Sequence, residues 1–258
     1  MRLMKRILSA AAVLALSASL LVGCSSGTAS SVPVSASSAA ESTVSSVEET
    51  ASSAVDENEA AAAQLLNDLT GSYQELWPVI LADEYKQTWL DDCTALVGED
   101  NAEAAFEKLS SMVTGDVYGE DAVKAYANCG GAYFCGFTNS LATLTFDGET
   151  STISGTDKDG NVLFSHTYHY IGMEPVHGLY EFESDDADSG EFTYFFLAPD
   201  TSAETYHIEF RYGSDAEALS QYDAGEYAYW VASGISTDCD QTMIDNCIEL
   251  FCTENLAG

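Results

Sequence analysis

The residues best placed to do chemistry lie in one short run, 205–212, which reads TYHIEFRY. Its apolar and polar residues alternate strictly, as in a half-buried strand. Tyr206, Ile208, Phe210 and Tyr212 point one way; Thr205, His207, Glu209 and Arg211 point the other. A period of two sets His207, Glu209 and Arg211 in one row, roughly 7 Å apart along the strand. An imidazole and a carboxylate so spaced can both reach one metal ion. A polar row is also the ordinary solvated face of such a strand, so the spacing alone does not decide the matter.

The surroundings extend the pattern. Residues 192–197 (FTYFFL) form an aromatic strand that ends at Ala198-Pro199-Asp200, and Gly213 and Asp215 follow the second strand. The series His-x-x-x-x-x-Gly-x-Asp resembles the end of the ZinT family, exported lipocalin-like proteins that bind zinc or cadmium. The similarity takes in Gly178-Leu-Tyr-Glu-Phe-Glu183 and the aromatic-Pro segment Gly71–Ile80, and it covers most of 66–256 as scattered motifs. It implies a barrel with a central cavity, and zinc as the bound ion. The family's triad is one His on the earlier strand and His-x-His on the later one. His207 matches the first of that later pair, Glu209 stands at the second, and Phe195 stands at the earlier-strand position. The implied metal ligands are therefore His207 and Glu209. A component of a metal-uptake transporter is the implied partner.

Arg211 is the only arginine beyond residue 24 and shares the face of Glu209. It can pair with that carboxylate and repel a cation. This motivates an alternative reading, a calycin-type module without metal that binds a small molecule or a surface partner. Phe195 and Arg211 would then line its cavity. No Ser-His-Asp, paired-carboxylate or phosphate-loop signature is present, so an enzyme is not expected.

Composition narrows the partners. The 258 residues include 42 Asp and Glu against 8 Lys and Arg, a formal charge of −34. Such a chain is repelled by nucleic acid and by anionic lipid headgroups. Three of the eight basic residues, Arg2, Lys5 and Arg6, stand at the start of 1–24, before an apolar run that ends Leu21-Val22-Gly23-Cys24. This is a leader with the form of a bacterial lipobox, in which Cys24 takes the lipid. The expected location is extracytoplasmic, held to the membrane by the lipid alone.

The elements that must position the site follow in order. Residues 25–58, rich in Ser, Ala and Glu, read as a disordered tether. The folded domain is 59–258, α+β and mainly β: a calycin-like antiparallel barrel with N-terminal helices and a C-terminal helix. Helices are expected at 59–69, from the Ser72-x-x-Glu75 capping pattern with a break at Pro78, through 85–93, and from Asp100. Strands are expected at 132–137, 141–146, 150–154, 162–170, 179–183, 192–197 and 205–212, joined by Asp- and Gly-rich turns. The last helix follows Ser236–Asp240, with an apolar stripe through Cys239, Ile244, Cys247 and Phe251.

Beyond Cys24 there are six cysteines: Cys93, Cys129, Cys135, Cys239, Cys247 and Cys252. An even set outside the cell favours disulfides. Cys239 and Cys247 lie eight residues apart on one helix, too far to pair, so the last helix is expected to join Cys93, Cys129 or Cys135. His166 and His169 differ by three and fall on opposite faces of a strand.

Overall fold

The computed structural model describes residues 57–113, 133–199 and 207–256. The leader, residues 25–56 of the tether and Cys129 lie outside them, while residues 57 and 58 begin a helix instead of belonging to the tether.

Eight strands close into an antiparallel barrel in which each strand pairs with its sequence neighbour and the last pairs with the first. They are β1 (Gly71–Glu75), β2 (Thr143–Asp147), β3 (Thr152–Thr156), β4 (Val162–Met173), β5 (Tyr180–Ser184), β6 (Tyr194–Leu197), β7 (His207–Gly213) and β8 (Ala232–Ser236). Closure leaves no open edge, so every strand has a partner on both sides. The expected antiparallel barrel with N-terminal helices and a C-terminal helix is therefore what the chain forms.

Two expected elements differ. The segment from Ser72 to Glu75 is a strand, not the start of a helix. Ser72 does not cap anything; its hydroxyl lies 2.8 Å from that of Thr145 on β2. Glu75 accepts the Phe137 N–H at 2.6 Å. Tyr73 points into the barrel, and β1 joins β2 to β8. Tertiary pairing overrides a local capping pattern here. The strand expected at 132–137 reduces, within the described residues, to one bridge between Phe134 and Trp230.

The longer helices and the one after β1 are α1 (57–68), α2 (Leu76–Ile80), α3 (Lys86–Val97), α4 (Glu99–Ser111) and α5 (Gln241–Leu256), and a single turn of helix spans Ala216–Leu219. Pro78 falls in the first turn of α2, where no helical N–H is needed, and the helix ends two residues later. Helix α4 begins one residue before Asp100, after Gly98 at φ 84°. Asp240 caps α5 by accepting the Met243 N–H at 3.0 Å.

Two cores result. Inside the barrel lie Tyr73, Leu144, Phe146, Phe164, Tyr168, Phe182, Phe195, Phe210 and Tyr212, with Leu65, Leu66 and Leu69 of the α1 segment joining that cluster. The second core lies outside the barrel. There Ile235 of β8 meets Trp77, Ile80, Trp89, Cys93, Leu109, Ile244, Cys247, Ile248 and Cys252 of the helices. The C-terminal helix thus packs on the barrel wall, as its apolar stripe predicts.

Candidate metal and ligand site

Strand β7 has two faces with different fates. Ile208, Phe210 and Tyr212 belong to the barrel interior. His207, Glu209 and Arg211 therefore face out, in the row that the alternation predicts. Across β8, His207 stands opposite Ile235, and Glu209 stands opposite Ser233. His207 is half-buried and Glu209 is exposed.

Glu209 lines a cleft of about 490 Å³ whose other walls include Trp77, Tyr133, Cys135, His177, Tyr222 and Phe251. The cleft is therefore built on the outer face of β7, the face the helices cover. Helix α2 supplies Trp77 and α5 supplies Phe251. Cys135 Sγ donates to the Tyr133 carbonyl at 3.4 Å. Burial pushes its thiol well above the usual range, and the neighbouring Glu209 carboxylate adds to this. The same carboxylate reinforces the effect of burial on Cys247, whose thiol is pushed up to about 12. Burial thus favours the neutral thiol at both positions.

His177 reaches the cleft from the turn after β4. Glu174, 1 % exposed, shapes that turn by accepting the N–H groups of Val176 at 2.8 Å and His177 at 2.6 Å. The His177 ring then meets Tyr222 edge-on, with centroids 4.2 Å apart. The Tyr222 hydroxyl and the Trp77 indole N–H are both buried, the first near the Arg211 guanidinium and the second near the Cys135 thiol. Nothing in the local sequence marks Trp77, Tyr133 or Tyr222 as cleft residues. Their convergence depends on how α2 and the 214–231 segment return to the barrel.

Phe195 and Arg211 are not among the residues that line this cleft. Phe195 is fully buried inside the barrel, and it pairs with Tyr212 across β6 and β7. It stacks on Phe164, Phe210 and Tyr212 and meets Tyr168 edge-on. These rings fill the space where a central cavity was expected. Phe195 therefore faces away from His207 and Glu209, and the triad position it was assigned does not meet the other two. Arg211 is also fully buried. Its guanidinium donates to the carbonyls of Leu219 and Tyr227, and to that of Gln221 at 3.3 Å. It lies 4.2 Å from the centre of the Tyr222 ring. Burial lowers its pKa, but neighbouring groups oppose that shift. Arg211 is thus the anchor of the segment after β7, not the anchor of a ligand.

His166 and His169 turn to different carboxylates, as their spacing predicts. His166 Nδ1 lies 2.7 Å from Asp186, and His169 Nδ1 lies 2.7 Å from Asp185. Among the described residues no group of three or more His, Cys, Asp and Glu side chains is arranged to hold a metal ion. Zinc at a complete three-ligand site therefore does not fit these residues. On the outer row of β7, Glu209 lines the cleft and His207 stands two residues before it on the same face. Nor is any described helix long and apolar enough to cross a membrane.

No protein-family model matches the chain, and no curated protein matches it. Among solved structures it is similar to the Zn(II)-bound ZinT-like domain of Streptococcus pneumoniae AdcA. The identity is 16 % and the TM-score 0.46, over 71 % of this chain and 89 % of that one. It is also similar to Zn(II)-bound AdcA from Streptococcus pneumoniae, at 16 % identity and a TM-score of 0.42. That match spans 72 % of this chain and 35 % of the longer one.

Proposed function

We propose that this chain is a binding protein for a divalent cation, with zinc as its cargo, exported and held to the membrane through a lipid on Cys24. The observation that carries the reading is the outer row of β7. His207 and Glu209 stand two residues apart on one face, and Glu209 is exposed in the wall of the cleft. An imidazole nitrogen and a carboxylate oxygen are suitable zinc donors, and water completes the coordination. Two protein ligands make a weak, exchangeable site, which suits a protein that buffers or passes on its ion. The formal charge of −34 raises the local concentration of cations around it. A role beside a metal-uptake transporter rests on the resemblance of 207–215 and its neighbours to the ZinT family.

The test is zinc binding by the chain lacking residues 1–24, by equilibrium dialysis. Retention of zinc that His207→Ala removes supports the reading. A second test addresses location: the full chain should sediment with membranes, and Cys24→Ser should release it.

One observation favours a second reading. The cleft is lined mainly by apolar and aromatic groups, Trp77, Tyr133, Tyr222 and Phe251 among them. A small organic ligand with an apolar body and an acceptor group matches that lining. Wild-type protein that retains no zinc leaves this as the better account.

A further inference from the structure

Cys93 and Cys252 approach each other across the outer core. Cys93 lies on α3 and Cys252 in the last two turns of α5, both fully buried. Their sulfurs are 4.0 Å apart, the one sulfur–sulfur contact among the described residues. A disulfide requires about 2.05 Å, so the two side chains rotate toward each other to form the bond. All five described cysteines, Cys93, Cys135, Cys239, Cys247 and Cys252, are free thiols in this structure.

We propose that Cys93 and Cys252 form a disulfide that staples the C-terminal helix to the barrel's helical cover. The reaction is a thiol–disulfide exchange with a disulfide oxidant, such as glutathione disulfide. Two protons and two electrons leave the cysteines, one sulfur–sulfur bond forms, and the oxidant becomes two thiols. Burial raises the pKa of both thiols, so exchange in the folded protein is slow and the bond forms as the chain folds. The staple closes a long stretch of chain, 159 residues apart in sequence. Such a closure restricts the unfolded state strongly. It also acts on the cleft. Phe251 and Asn255, on either side of Cys252, both line its wall, and Phe251 packs on Trp77 at 4.7 Å. The bond therefore fixes the wall against which a ligand or a hydrated cation sits. The proposal does not depend on whether zinc binds.

The experiment refolds the chain from denaturant in a mixture of reduced and oxidised glutathione, quenches with acid, alkylates free thiols and maps peptides without reduction. The expected result is a linked pair containing Cys93 and Cys252, absent from Cys93→Ala and from Cys252→Ala. The oxidised protein should melt on the order of 10 °C above its reduced form. Amide exchange in 249–256 should slow in the oxidised form. Protein isolated from an oxidising periplasm should carry the same link, which guards against a failure of refolding. Free thiols at both positions, or Cys252 linked to Cys129 instead, overturn the proposal. A linked pair with no rise in melting temperature overturns the staple.

Discussion

Phe195 and Tyr212 stand opposite each other on β6 and β7, their rings stacked with centroids 5.4 Å apart inside the barrel. That pairing fixes the faces of both strands. Because Tyr212 points in, Arg211 and Glu209 point out, and Phe195 cannot share a site with them. A histidine at position 195 would sit among aromatic rings, on the far side of the sheet from Glu209.

Phe195→His should therefore gain no zinc affinity, and it should destabilise the barrel by about 3 kcal/mol, in the range for losing a large buried ring. Chemical denaturation and a zinc titration of the same variant measure both effects. A gain in zinc affinity would mean that the register of β6 on β7 is wrong.

Arg211→Met should unfold the region after β7 rather than alter a ligand's affinity. It leaves the carbonyls of Leu219, Gln221 and Tyr227 without their donor. The expected cost is about 3 kcal/mol, since buried polar partners are stranded. Arg211→Lys should recover part of it, lacking only the fork geometry. A stable Arg211→Met protein with altered zinc binding would instead place the guanidinium in the site.

Tyr212 supplies a pH signature. Its hydroxyl accepts the Thr138 N–H at 2.7 Å and donates to the Thr138 carbonyl at 2.9 Å. Burial, the largest cause, pushes its pKa up to about 12 from 10.0. A raised folded pKa means that the neutral phenol is what the fold favours. Its contribution is complete below pH 10 and is lost as pH rises through about 12. Stability should fall across that alkaline window, and less steeply in Tyr212→Phe, which itself costs about 1 kcal/mol. Denaturation midpoints at pH 9 to 12 check this.

Much of the barrel is legible in the sequence, and the exceptions have identifiable causes. The strands from β2 to β7 announce themselves through alternation and through turns such as that of Asp157, whose carboxylate accepts the N–H groups of Asp159 and Asn161 at 2.9 Å. Strand β8 does not. Ala232, Ser233, Gly234 and Ile235 are all buried, the first and third toward the barrel and the others toward the helices. A strand covered on both faces shows no alternation, and its small residues show no β preference either. Strand β1 is hidden by Ser72 and Glu75, whose spacing imitates a helix cap. The face of β7 that carries His207 and Glu209 is readable because it needs one strand only. Whether Phe195 joins them depends on the register between two strands, which no single strand's pattern contains. The cleft is less legible still, because its walls come from α2, α5 and the 214–231 segment.

If β7 alone supplies the protein ligands for a cation, a calorimetric zinc titration will read that one strand's contribution. The wild type should bind zinc weakly, with one site. Glu209→Gln should weaken that binding further, and His207→Ala should abolish it, a loss beyond the roughly 10- to 100-fold that a supporting residue costs. Zinc bound with undiminished affinity by His207→Ala, or no zinc bound by the wild type, would contradict the account.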